Sequence, residues 1–185
     1  MLLLLILSIW VDTSSSQVPY LGSCPDLKTV DNFDQTRYMG KWYEAERYFS
    51  LFEFGGKCIN SNYTDGIDSI NIISKQTSTL TGIHSTIEGE VQKTPNGFLS
   101  KMNLKYPYLP MDAPYWILDT DYDNYSVVWS CSNFGLFSTR NAWILTRARF
   151  PILEIMEKAY NVIDKNFISR AYFIRTDQKN CPDDY

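Results

Sequence analysis

The stretch Asn32-Phe33-Asp34-Gln35-Thr36-Arg37-Tyr38-Met39-Gly40-Lys41-Trp42-Tyr43-Glu44 reads NFDQTRYMGKWYE and runs straight into the first predicted strand. Everything upstream of it reads as a removable leader and a short arm. Leu2 to Trp10 is almost wholly apolar and is followed by Asp12 and the polar run Ser14, Ser15, Ser16. A membrane-spanning helix needs ~20 apolar residues, more than this run holds, whereas a short apolar core followed by small residues is the pattern of a secretory signal cleaved near Ser16. Residues 1–16 are therefore read as a signal and residues 17–185 as one domain, long enough for one sizeable core.

The formal charge of −4 becomes −3 once Asp12 leaves with the leader, and the chain carries no basic cluster, which argues against a nucleic-acid partner. Aromatic residues make up 15% of the chain, including 13 Tyr and 5 Trp, and supply flat apolar surface with polar handles. Such a set can line a pocket or fill a core. Cys24, Cys58, Cys131 and Cys181 lie far apart without a C-x-x-C spacing, and His84 is the single histidine, so no metal site is expected. In an exported chain four cysteines imply two disulfides, for which spacing leaves three pairings open. The sequons at Asn62 and Asn124 fit the same compartment.

Runs rich in β-branched and aromatic residues, separated by turn signals, predict strands over Lys41 to Phe49, Lys57 to Thr64, Ser69 to Lys75, Leu80 to Val91, Phe98 to Tyr106, Tyr115 to Thr120, Tyr125 to Cys131, Asn141 to Arg147 and Ser169 to Thr176. Eight of these can close an antiparallel barrel. Gly55-Gly56, Asp65-Gly66, Pro95-Asn96-Gly97 and Asp121 to Asn124 supply the turns between them. From Pro151 to Asn166 the period changes: Ile152, Ile155, Met156, Ala159 and Ile163 recur three and four apart beside charged residues, which predicts one amphipathic helix with Pro151 in its first turn. Its apolar stripe is expected against the outside of the barrel.

Alternation assigns faces. Lys101, Asn103 and Lys105 interleave with Met102, Leu104 and Tyr106, so the lysines face solvent and the latter three face inward. Cys58, Asn60, Asn62 and Thr64 share one face and Ile59 and Tyr63 the other. A glycan on Asn62 would put Cys58 outside as well and Tyr63 inside. Tyr115 to Thr120 is apolar on both faces, so this strand is expected to be covered externally by the helix.

The chain resembles the lipocalin family, within it the apolipoprotein D and insect Lazarillo branch, over nearly all of the mature length. Asn32-Phe33-Asp34 with Gly40-Lys41-Trp42-Tyr43-Glu44 is similar to the first lipocalin motif, Thr120-Asp121-Tyr122 with Asn124-Tyr125 to the second, and Arg147 in AWILTR to the third. APYWILDTDYDNYSVVWSC from Ala113 and TDQKNCP from Thr176 resemble that branch. The resemblance implies an all-β fold: an eight-stranded antiparallel up-and-down lipocalin barrel open at one end, with one C-terminal α-helix on its wall. It implies the pairings Cys24 with Cys131 and Cys58 with Cys181, and Arg147 stacked across Trp42 at the closed end. It also places Trp116 and Trp143 among ligand-facing aromatics, beside Tyr63, Met102, Leu104 and Tyr106. The implied function is secreted carriage of a small hydrophobic ligand (fatty acid, sterol, retinoid or bilin-like), in lipid transport or stress protection, without a cofactor.

Phe49, Leu51, Phe52 and Phe54 crowd the segment between the first two predicted strands. They are read as a mouth loop that either covers the ligand or contacts a lipid-membrane or lipoprotein surface. Asp119, Asp121 and Asp123 begin like a calcium loop, but Asn124 replaces the required Gly and Ser130 the final Glu, so a hairpin is expected. His84 has no supporting motif for haem. Two rival classes are a lipocalin-type isomerase, which needs a free thiol, and a surface-interaction protein whose barrel is filled. No catalytic constellation accompanies His84, so the chain is not read as an enzyme. The short polar tail after Cys181 is not expected to direct a glycolipid anchor.

Overall fold

In the computed structural model, which describes residues 18–49, 55–66, 69–93, 100–107 and 112–182, the alternating runs become strands. A short strand β1 (Val18–Leu21) and a single turn of helix α1 (Gln35–Tyr38) precede eight antiparallel strands. These are β2 (Gly40–Tyr48), β3 (Gly56–Asp65), β4 (Ser69–Ser78), β5 (His84–Lys93), β6 (Lys101–Lys105), β7 (Ala113–Thr120), β8 (Tyr125–Phe134) and β9 (Phe137–Thr146). Each pairs with the next, and β9 returns to β2, with Tyr43 opposite Thr146 and Arg47 opposite Trp143, so the sheet closes into a barrel. Helix α2 (Leu153–Lys165) and strand β10 (Phe173–Arg175) follow.

The two-residue side-chain period sorts the wall into two apolar clusters. On β8 and β9, Val128 and Leu145 belong to an inner cluster with Trp42, Tyr63, Ile70, Ile72, Val91, Met102, Tyr115 and Ile117. Their neighbours Trp129, Ala142 and Ile144 belong to an outer one, against which α2 sets Met156, Ala159, Val162 and Ile163. The helix thus buries its stripe on the outside of the wall. It starts later than the sequence indicated. Ile152 is its N-cap, without a side-chain capping bond, and Pro151 lies before the first turn rather than in it. Strand β5 also starts late, at His84, because Thr79 to Thr81 form a turn and Gly82 adopts φ +68°.

The chain ends are tied to the barrel by Cys24–Cys131 and Cys58–Cys181. Strands β2 and β3 pair only from Gly40 to Tyr43. Beyond that the C-terminal tail enters between them: β10 pairs with β2, the Cys58 N–H donates to the Asp177 carbonyl (2.8 Å), and Gln178 Nε2 donates to the carbonyls of Glu44 (3.0 Å) and Ile59 (2.7 Å). Cys58, expected on the outer face within reach of a chain terminus, is bonded to Cys181 of this tail and fully buried beneath it. A bulge between Lys57 and Asn60 breaks the alternation there, and Cys58 itself has φ 58°. Asn62, opposite Lys41, stays on the outer face.

Candidate functional site

The barrel has unlike ends. At one end the β7–β8 turn, α1 and the start of β2 converge on Arg147. Its guanidinium carbon lies 3.8 Å above the Trp42 ring. Its Nε donates to the Tyr122 carbonyl (2.9 Å), Nη1 to Lys41 (2.9 Å), and Nη2 to Arg37 and Met39 (both 2.9 Å). A flat fork with fixed donor directions is what lets one residue join three chain segments. Burial draws the Arg147 pKa below its usual value. Glycine suits position 40 because its φ is +95°, a conformation that L side chains rarely adopt.

The adjoining turn is self-braced. Asp121 accepts from the Asn124 N–H (2.7 Å), the Tyr125 N–H (3.0 Å) and Asn124 Nδ2 (2.8 Å). Partial burial alone would raise its pKa, yet these bonds hold its carboxyl below the usual carboxylate range. Thr120 Oγ1 donates to the Tyr125 carbonyl (2.7 Å) and accepts from the Tyr122 N–H (2.9 Å). These residues shape the closed end.

Above this base lies an aromatic floor. Tyr38 packs against Phe33 (5.1 Å between ring centroids), Trp42 (5.1 Å) and Tyr63 (5.3 Å). The Tyr63 and Tyr115 hydroxyls share a hydrogen bond (2.7 Å), as do Tyr38 and Ser126 (3.0 Å). Burial raises the pKa of all three tyrosines, most strongly those of Tyr63 and Tyr115. Tyr63 therefore sits inside, in the floor. Met102 is buried in the same inner cluster, with Leu104 and Trp143 packed against it and half-buried. Tyr106 lies over Gly89, where a Cβ would come within 2.8 Å of the ring, so glycine allows the ring to lie against the inner wall.

Trp116 falls elsewhere. It packs with the outer cluster beside the helix, and Lys101 Nζ lies 4.3 Å from its ring centroid. Its neighbours Tyr115 and Ile117 take the inward places, because β6 pairs Met102 with Tyr115 and Lys101 with Trp116. Of the mouth-loop residues, Phe49 is exposed and its N–H donates to the Tyr172 carbonyl (3.1 Å). Leu51, Phe52 and Phe54 lie outside the described residues.

Sequence reasoning also passed over an inward polar set. Counting from Trp42 on β2 finds Glu44, and counting back from Trp143 on β9 finds Asn141 and Thr139. Glu44 Oε1 accepts from Arg47 Nη1 (2.6 Å) and from Thr176 Oγ1 (2.5 Å), all three residues being buried. Ser130 stands opposite Asn141, and Ser132 opposite Thr139. The alternation that found Met102 and Leu104 would have found these had it been run on every strand.

Residues 39–180 match the family described as "Lipocalin / cytosolic fatty-acid binding protein family". Apolipoprotein D of Cavia porcellus is 36% identical over 184 residues, covering 99% of this chain and 97% of that protein. The chain is a lipocalin. The Lazarillo protein of Schistocerca americana is 31% identical over 159 residues, 84% of this lipocalin and 74% of that protein. The solved structure of insecticyanin from Manduca sexta superposes with a TM-score of 0.77 at 25% identity, over 89% of this lipocalin and 90% of that chain. Apocrustacyanin C1, at 21% identity and a TM-score of 0.80 over 90% and 94% of the two chains, shares the fold.

Proposed function

We propose that this lipocalin is a secreted carrier that encloses a small lipophilic molecule in the upper barrel, in lipid transport or stress protection. The observation that carries this reading is Ile87. Its register with Ser74, two residues from the Ile72–Gly89 pair, puts it on the inner face, yet it is 39% exposed. An inward residue in a filled barrel would be covered. Half-buried Leu104, Tyr106 and Trp143 point the same way, and together they offer a cup of flat and flexible apolar surface above a sealed floor. Burial would drive binding, at roughly 25 cal/mol per Å² of apolar area removed from water.

An isomerase of the thiol type is disfavoured, because both disulfides consume all four cysteines. The same two bonds support export, with residues 1–16 as the signal. The experiment is native mass spectrometry of the protein from its source with extraction of the bound molecule, alongside titration of the purified protein with retinol. A bound lipophile and saturable quenching of Trp143 support carriage; an empty protein that quenches with no lipophile tested refutes it.

The cup's rim favours contact with a lipid surface in delivery. The β4–β5 turn exposes Leu80 (85%) and Ile83 (65%), and the β8–β9 turn exposes Leu136 (78%). Both turns lie at the end opposite Arg147. Flotation with phosphatidylcholine vesicles tests it: binding reduced by Leu80→Ser with Leu136→Ser supports the contact, and absence of wild-type binding rejects it.

A further inference from the structure

The wall formed by β8 and β9 is chemically unlike the rest of the cup. Val128 and Trp143 face each other on its inner side, and the next two inward pairs toward the mouth are Ser130 with Asn141 and Ser132 with Thr139. Directly opposed pairs stand about 4.5–5.5 Å apart at Cβ, so the four form one continuous polar strip. Asn141 and Thr139 are each 8% exposed, and among the described residues Asn141 Oδ1 and Thr139 Oγ1 are buried with no hydrogen-bond partner. Buried acceptors without donors carry a desolvation penalty that Leu and Val, of the same shapes, would avoid.

The nearest inward charges do not change the character of the strip. Arg47, opposite Trp143 on β2, is 2.6 Å from Glu44 through its Nη1, so that pair is internally compensated. The strip therefore presents neutral dipoles with spare acceptor capacity, beside apolar Trp143 and Val128. A molecule that satisfies it carries a neutral O–H donor on an otherwise apolar body.

We propose that Asn141 and Thr139, with Ser130 and Ser132, form a subsite for the hydroxyl of a lipophilic alcohol, which orients the ligand along the β8–β9 wall. This rests on the carrier reading above and names the ligand chemistry that the same cup selects. Asn141 Oδ1 accepts from the ligand hydroxyl, and the Thr139 hydroxyl both accepts and donates, so the ligand oxygen also finds a donor. Apolar burial supplies affinity while these groups discriminate, because an analogue lacking the donor leaves the acceptors unpaired.

The test uses the full mature protein, with retinol and retinyl methyl ether as probes read by tryptophan quenching. Wild-type protein is expected to bind the alcohol about tenfold more tightly than the ether. Asn141→Leu and Thr139→Val should each remove most of that difference by weakening retinol binding, while binding of the ether holds or improves. Both variants should melt at or above the wild-type temperature, since each deletes a buried polar atom without a protein partner. If Asn141→Leu does not fold, Thr139→Val carries the same comparison. Equal wild-type binding of alcohol and ether overturns the subsite while leaving carriage intact. Equal losses for both probes in the variants also overturn it. Failure of wild-type protein to bind either probe counts against the subsite and the carrier reading together.

Discussion

Replacing Arg147 by Met removes a cation 3.8 Å from the Trp42 ring while keeping an apolar stem of similar length. At a half-exposed site the cation–π contact is worth ~1 kcal/mol. The bonds to the carbonyls of Tyr122, Lys41 and Met39, each 2.9 Å, are part-buried and together contribute about 2 kcal/mol net of what water would return. The bond to the Arg37 carbonyl is exposed and adds little. The expected loss is about 3 kcal/mol, or roughly 6–12 °C of melting temperature for a chain of this size. Arg147→Lys should recover less than half, because one ammonium keeps the charge but cannot reach all three carbonyls in the directions the planar fork does. Equilibrium urea unfolding with the disulfides oxidised, followed by tryptophan fluorescence, measures both. A loss under ~1 kcal/mol for the Met variant, or a Lys variant as stable as wild type, would show that the fork is not what holds the closed end.

The Glu44–Arg47 pair makes a second case. Glu44→Leu leaves Arg47 buried without its carboxylate and should cost about 3–5 kcal/mol, whereas the double variant Glu44→Leu, Arg47→Met should recover most of that; equal losses in urea melts would dismiss the pairing. Alkaline stability follows from the floor tyrosines. Their folded pKa values lie above the usual 10.0, so the folded state holds protons that the unfolded chain releases. Stability is fully present below that pH and falls as pH rises through the raised values. Absorbance at the tyrosinate band should show a group of tyrosines that ionises together with loss of the fold; independent titration of every tyrosine near 10.0 in intact protein would contradict it.

The barrel was legible because each device that builds it is local. Alternation in Met102 to Tyr106, turn residues at Asp121 to Asn124 and the three-and-four spacing from Ile155 to Ile163 each act within one element. The resemblance put Trp116 among the ligand-facing aromatics, and alternation could not correct it because both faces of β7 are apolar. Alternation then states that Trp116 and Tyr115 oppose each other without saying which is inside. Only the pairing of Tyr115 with Met102 resolves it. At Cys58 the C-terminal tail reaches the strand as expected, although a bulge, invisible in composition, interrupts the period on which that expectation relied.

The sequence by itself determined the strand runs that close the barrel and the outer helix, since these rest on periodicity, and its resemblance to the lipocalin motifs implied the closed end that NFDQTRYMGKWYE builds with Arg147. Tertiary structure alone decided that Asn141 Oδ1 and Thr139 Oγ1 have no hydrogen-bond partner among the described residues, that the tail enters between β2 and β3, and that Ile87 faces inward yet uncovered. Partnership and exposure are properties of what surrounds a side chain, and in a closed barrel those surroundings come from strands dozens of residues away.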